Sequence, residues 1–130
     1  MILLDTNTII HVLRGNPKVG ERFRSCAGEI AVPAMVLGEL LFGVAKSDNP
    51  QKNGSLLKTI MDALPVLHTN NQIMEIFAMQ KAALSRRGEP VGDADTLIAA
   101  TALAYDATLV TGNVRHFTRF EGLRIEDWTA

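Results

Sequence analysis

The chain has 130 residues, 47% of them apolar, and a formal charge of −1 from 13 basic and 14 acidic side chains. That length fits one domain with a real core, and that apolar content excludes a disordered chain. The balanced charge excludes a protein that coats nucleic acid by bulk positive charge, although bound metal ions can offset acids gathered at one site. The single cysteine, Cys26, forms no internal disulfide and no Cys-based zinc site, which points to an intracellular setting. The N-terminus has no basic region and carries Asp5, unlike a signal peptide. The uncharged stretches Ile30–Gly38 and Thr96–Tyr105 fall short of the ~20 apolar residues of a membrane span. A soluble cytoplasmic protein is expected.

In chain order, the first strand is Ile2–Leu4, followed by Asp5-Thr6-Asn7 and a helical pattern from Thr8 to Arg14. Asn16-Pro17 opens a helix over Lys18–Ala27, Pro suiting the first turn. A second strand, Ile30–Val32, precedes the helix Met35–Lys46, whose apolar face is Val36, Leu37, Leu40, Leu41 and Val44. Asn49–Ala63 follows as a second helix. The pair reads as a helical hairpin inserted between strands and standing off the sheet. Strand Val66–Leu67, a helix Gln72–Arg87 capped by Asn70 or Asn71 and stopped by Gly88, a helix Thr96–Tyr105 opened by Asp95, and strand Thr108–Val110 come next. Leu123–Ile125 is a weaker fifth strand. Short unbroken apolar strands alternating with helices predict an α/β fold with a mostly parallel twisted sheet of four or five strands flanked by helices.

Four places carry acids or amides suited to chemistry. Asp5 ends a strand, where α/β folds bind ligands, and reads either as a helix cap or as the wall of a site. Asn7 and Thr8 are alternative caps, which would free Asp5. Glu39 sits in Gly38-Glu39-Leu40-Leu41-Phe42-Gly43 and is expected to be partly buried, hence protonated, paired or bound to a metal. Of Asp93 and Asp95, one is expected to cap the helix that follows, leaving the other spare. The small residues Ala99, Ala100, Ala102 and Ala104 suit close packing of that helix on the sheet. Asn113, after Thr111 and Gly112, either ligates a metal through its carbonyl oxygen or turns the chain. Carboxylates brought together without a cation repel one another, and three or four oxygen donors suit Mg²⁺ or Mn²⁺.

Taken together, Leu3-Leu4-Asp5-Thr6-Asn7, Gly38-Glu39-Leu40, Asp95-Thr96-Leu97-Ile98-Ala99-Ala100-Thr101-Ala102, Val110-Thr111-Gly112-Asn113 and the tail Phe120–Trp128 resemble the PIN-domain family. They look like the VapC-type toxins of bacterial toxin–antitoxin pairs, with every anchor in order along the whole chain. The resemblance implies a single PIN-like domain over residues 1–130 and a Mg²⁺- or Mn²⁺-dependent endoribonuclease. Asp5, Glu39 and Asp95 match the family's three most regular acids and take the catalytic and metal-binding roles, with Asn113 and Asp93 as further possible ligands. Thr6, Asn7 and Thr111 are candidates to orient the carboxylates. The family often has a fourth acid on the last loop; here Asn113 occupies one such place and His116 the other. Expected products carry a 5′-phosphate and a 3′-hydroxyl.

Arg86, Arg87, Arg115 and Arg119, with Lys46, are the candidate RNA contacts. The resemblance implies single-stranded RNA as substrate, with the anticodon loop of initiator transfer RNA favoured by the segment Arg86-Arg87-Gly88-Glu89-Pro90-Val91-Gly92. It also implies a homodimer, a higher toxin–antitoxin assembly, and a VapB-type antitoxin lying in a groove near the site. Apolar residues of the hairpin (Val36, Leu40, Phe42, Ile60, Met61, Leu64) are candidates for interface beyond the core. Two rival readings stand beside this one. A non-catalytic PIN-like module would bind RNA or protein without cutting. A haloacid-dehalogenase-like phosphatase would use Asp5 as nucleophile, but it lacks the second Asp of its first motif, where Asn7 stands.

Overall fold

The computed structural model describes all 130 residues. Five short strands, β1 (Ile2–Leu4), β2 (Ile30–Pro33), β3 (Val66–Leu67), β4 (Thr108–Val110) and β5 (Arg124–Glu126), form one sheet in the order β3-β2-β1-β4-β5. Every pairing is parallel. Seven helices connect them: α1 (Thr6–Leu13), α2 (Pro17–Ser25), α3 (Ala34–Ala45), α4 (Pro50–Met61), α5 (Asn71–Arg86), α6 (Asp93–Ala104) and α7 (Val114–Phe117). The core joins Leu3, Leu4, Ala31, Val32, Leu109 and Val110 of the strands to Ile9, Val36, Leu57, Ile98 and Phe117 of the helices. The central strands are apolar on both faces because helices cover both.

The expected elements form, with three corrections and one short helix, α7, that the sequence reading lacks. Strand β5 lies one residue later than expected, at Arg124–Glu126. It is an edge strand whose two ends are exposed charges, so no apolar run marks its register. The hairpin α3–α4 does not stand off the sheet. It is the crossover from β2 to β3, and it sends Val36, Leu40 and Leu57 into the core. The helix starts also differ. Asp5 itself caps α1, so Asn7 and Thr8 lie inside the helix. Gly92 is the N-cap residue of α6, without a side-chain cap, and both Asp93 and Asp95 lie in the first turn. There they face the positive end of the helix dipole rather than capping it.

The close packing of α6 is as expected: Ala99, Ala100 and Ala102 are fully buried. The start of α5 is fixed by Asn70, whose side-chain oxygen accepts the Ile73 amide at 2.9 Å. Asn70→Ala should cost about 1 kcal/mol and lower the melting temperature by a few degrees in a thermal melt. At the other end of the chain, Glu126 Oε2 accepts from the buried Trp128 indole at 3.1 Å and from Arg22 at 3.4 Å. The Arg22 guanidinium lies over the Trp128 ring, so these contacts tie the C-terminal segment to α2.

Candidate active site

From β1 the chain winds outward through β2 and β3, then returns to the other side of β1 to lay down β4 and β5. The reversal falls at the carboxyl ends of β1 and β4, the usual ligand position in such sheets. Asp5 stands there. Its amide donates to the Val110 carbonyl of β4 at 2.9 Å, extending the strand pairing by one residue. The residue is buried, only 5% exposed. Asp5 Oδ1 accepts the Thr6 amide at 2.8 Å, and Oδ2 accepts the Thr111 hydroxyl at 2.6 Å. Burial pushes the Asp5 carboxyl above its ordinary pKa. The Thr111 and Thr6 hydrogen bonds pull the other way, and the charges of Asp95 and Glu39 push it further up.

Glu39 is half-buried on α3, and its Oε1 accepts the Thr6 hydroxyl at 2.7 Å. Thr6 thus bridges two acids, its amide on Asp5 and its hydroxyl on Glu39. Asp95, half-buried in the first turn of α6, has Oδ2 at 3.4 Å from His116 Nδ1. Asp93 does not join this group: it turns to Lys81, 2.9 Å away on α5. Asn113 points its amide at His116 Nδ1, at 2.9 Å, rather than at a carboxylate. Asn7 also touches no acid. Its Oδ1 accepts the Gly112 amide at 3.1 Å and so pins the turn after β4 to α1. The contacts of His116 with Asp95 and of Asn7 with Gly112 are not marked in the sequence, because the partners lie 21 and 105 residues apart.

Thr111 is fully buried, and its hydroxyl aims the Asp5 carboxylate. Thr111→Val keeps the shape and removes the donor. The expected result is a 10–100-fold loss of activity, about the usual effect of removing a group that orients a ligand, measured as initial cleavage rate at fixed metal.

No Lys or Arg forms an ion pair with Asp5, Glu39 or Asp95. The acids therefore converge in charge without an internal counter-ion, and their all-oxygen donor set fits a hard divalent cation. They do not close into a three-ligand cage: no three His, Cys, Asp or Glu side chains are gathered tightly enough for that. Mg²⁺ does not require one, since it keeps several waters and is commonly held by one or two carboxylates plus substrate phosphate.

The basic candidates are divided. Arg86, Arg87 and Glu121 line a shallow cavity beside α5, and Arg87 donates to the Arg119 carbonyl at 2.8 Å. Arg115 is exposed on α7, next to the turn that carries Asn113. Lys46 lies over the Phe42 ring.

Comparison with known proteins agrees with this architecture. The PIN domain family profile matches residues 2–123. A tRNA(fMet)-specific endonuclease VapC of Salmonella typhimurium is 35% identical over 97% of this chain and 96% of its own. Ribonuclease VapC2 of Haemophilus influenzae is 34% identical over 97% and 96%. Among solved structures, a DNA-bound VapBC from Salmonella typhimurium superposes with a TM-score of 0.93 at 35% identity, covering 98% of this chain and 97% of that one. VapBC2 of Rickettsia felis, bound to a promoter DNA fragment, gives 0.92 at 31% identity, covering 98% and 99%. With acids at the sheet's switch point, a profile match over nearly the whole chain and relatives of matching length, the chain belongs to the PIN-domain family and, within it, to the VapC group.

Proposed function

We propose that this protein is a Mg²⁺- or Mn²⁺-dependent endoribonuclease toxin, silenced by a VapB-type antitoxin. The observation that carries this reading is Asp5: a buried carboxylate at the switch point of the sheet, joined in charge by Asp95 and Glu39 and matched by no cationic side chain. Asp5 and Asp95 would hold the ion, with Glu39 reaching it directly or through water. When bound, the ion supplies polarisation of the scissile phosphate and a lowered pKa for attacking water. Thr111 and Thr6 aim the acids by donating to Asp5 and Glu39.

The proposed substrate is the anticodon loop of initiator transfer RNA, supported by the relative named as a tRNA(fMet)-specific endonuclease at 35% identity. Arg115 and the Arg86, Arg87 and Arg119 group would contact its phosphates. The antitoxin would occupy the apolar groove of about 350 Å³ between α1, α3 and α4, lined by Ile10, Leu13, Leu40, Val44, Leu56 and Leu57. VapBC complexes among the structural relatives support that partner. Leu41, Phe42 and Met79 are each more than half exposed, which supports a further interface such as a homodimer. No helix is long and apolar enough to cross a membrane.

Mapping 5′ ends in total RNA after expression of the toxin tests the substrate. One dominant new end in the initiator anticodon loop is expected. A dominant end in another RNA would contradict the substrate, and no new ends at all would contradict the nuclease.

A further inference from the structure

A chain of hydrogen bonds crosses the turn between β4 and α7 and links two of the acids. Asp5 Oδ2 accepts the Thr111 hydroxyl at 2.6 Å, and Thr111 Oγ1 accepts the Asn113 amide N–H at 3.0 Å. The Asn113 side chain lies 2.9 Å from His116 Nδ1, which lies 3.4 Å from Asp95 Oδ2. A lone pair on Nδ1 would accept from the Asn113 amide but oppose the carboxylate. With the Asn113 amide turned so that its oxygen faces the ring, a proton on Nδ1 is shared between two oxygens and both contacts attract. That arrangement needs only a neutral imidazole.

The three acids differ in how firmly they are held. Asp5 accepts from two donors and Glu39 from one, whereas the Asp95 carboxylate is hydrogen-bonded by His116 alone. The geometry points to His116, oriented by Asn113, as the positioning residue for Asp95. It holds Oδ2 and leaves Oδ1 free for the divalent ion. An amide and an imidazole thus serve here as a strut for the third acid rather than as ligands themselves. This inference rests on the metal-site reading above.

Asparagine and glutamine separate the two ring nitrogens, because the Asn amide nitrogen falls near the position of Nδ1 and the Gln amide nitrogen near that of Nε2. The experiment titrates Mn²⁺ alone, without RNA, into antitoxin-free wild type and into His116→Ala, His116→Asn and His116→Gln, reading affinity by calorimetry. Kinetics of RNA cleavage are measured in parallel. His116 is largely exposed, so metal-free melting temperatures should match. His116→Ala is expected to weaken Mn²⁺ binding by about 10-fold or more with KM for RNA unchanged. His116→Asn should restore most of the loss, and His116→Gln should not.

Mn²⁺ affinity of His116→Ala equal to that of wild type would overturn the strut, as would rescue by Gln but not Asn. The nuclease reading fails separately. If wild type cuts no RNA while the variants still differ in Mn²⁺ affinity as described, the strut stands and the nuclease falls. If wild type binds no Mn²⁺, both fall.

Discussion

Asp5→Asn should reduce RNA cleavage by about 10³-fold, the scale of several kcal/mol of transition-state stabilisation, while leaving the melting temperature of the metal-free protein unchanged or higher. The two effects have one cause. Asp5 is buried beside two other acids, and its folded pKa lies above the ordinary 3.8. Its charged form works against the fold and for the cation. Asn keeps an oxygen for the Thr6 amide that caps α1, and its NH₂ meets Thr111 Oγ1, which can accept as well as donate. The charge is therefore lost without loss of the cap. A pH series separates this from a simple structural role. Between 3.8 and the raised folded value the native state holds more protons than the unfolded state, so metal-free wild type loses stability as pH rises through that window. Asp5→Asn should lack that slope in thermal melts run from acid to neutral pH. A variant that is inactive because it melts well below wild type would point instead to a structural role.

Saturating Mn²⁺ should raise the melting temperature of wild type, and Asp95→Asn should remove most of that rise. Mass action gives about 2.7 kcal/mol at a hundredfold excess over Kd, which for a domain of this size is roughly 10 °C. Asp95 also sits in the first turn of α6, where its charge stabilises the helix end by about 0.3–1 kcal/mol. The same charge repels Asp5, so the two effects of removing it oppose and the metal-free variant should melt close to wild type. The diagnostic quantity is the change on adding metal, not the absolute temperature. Equal shifts in both proteins would mean that Asp95 is not a ligand.

The strands were legible because burial on both faces leaves unbroken apolar runs, as in Leu3-Leu4 and Leu109-Val110. The edge strand Arg124–Glu126 was harder to place because exposure at an edge lets charge interrupt the pattern. At the site, the small polar residues after β1 and β4 hinted at Thr111 beside Asp5, since parallel neighbours end at the same level. The sequence sets the cap and the site as alternatives for Asp5, but a strand-end aspartate can cap and bind at once, and Asp5 is placed to do both. The residue pattern alone does not separate Asp93 from Asp95; the family resemblance selects Asp95. Lys81, contributed by the neighbouring helix, draws one of them away. The links from Asn7 to Gly112 and from His116 to Asp95 depend on tertiary placement that no local pattern encodes.

The most direct test of a metal-dependent nuclease centred on Asp5 is the chemistry of the cut made by purified, antitoxin-free wild type. With initiator transfer RNA and Mg²⁺ or Mn²⁺, the account predicts cleavage that EDTA abolishes and products bearing a 5′-phosphate and a 3′-hydroxyl. No cleavage of any RNA with either metal, or EDTA-resistant cleavage leaving a cyclic phosphate, would contradict it.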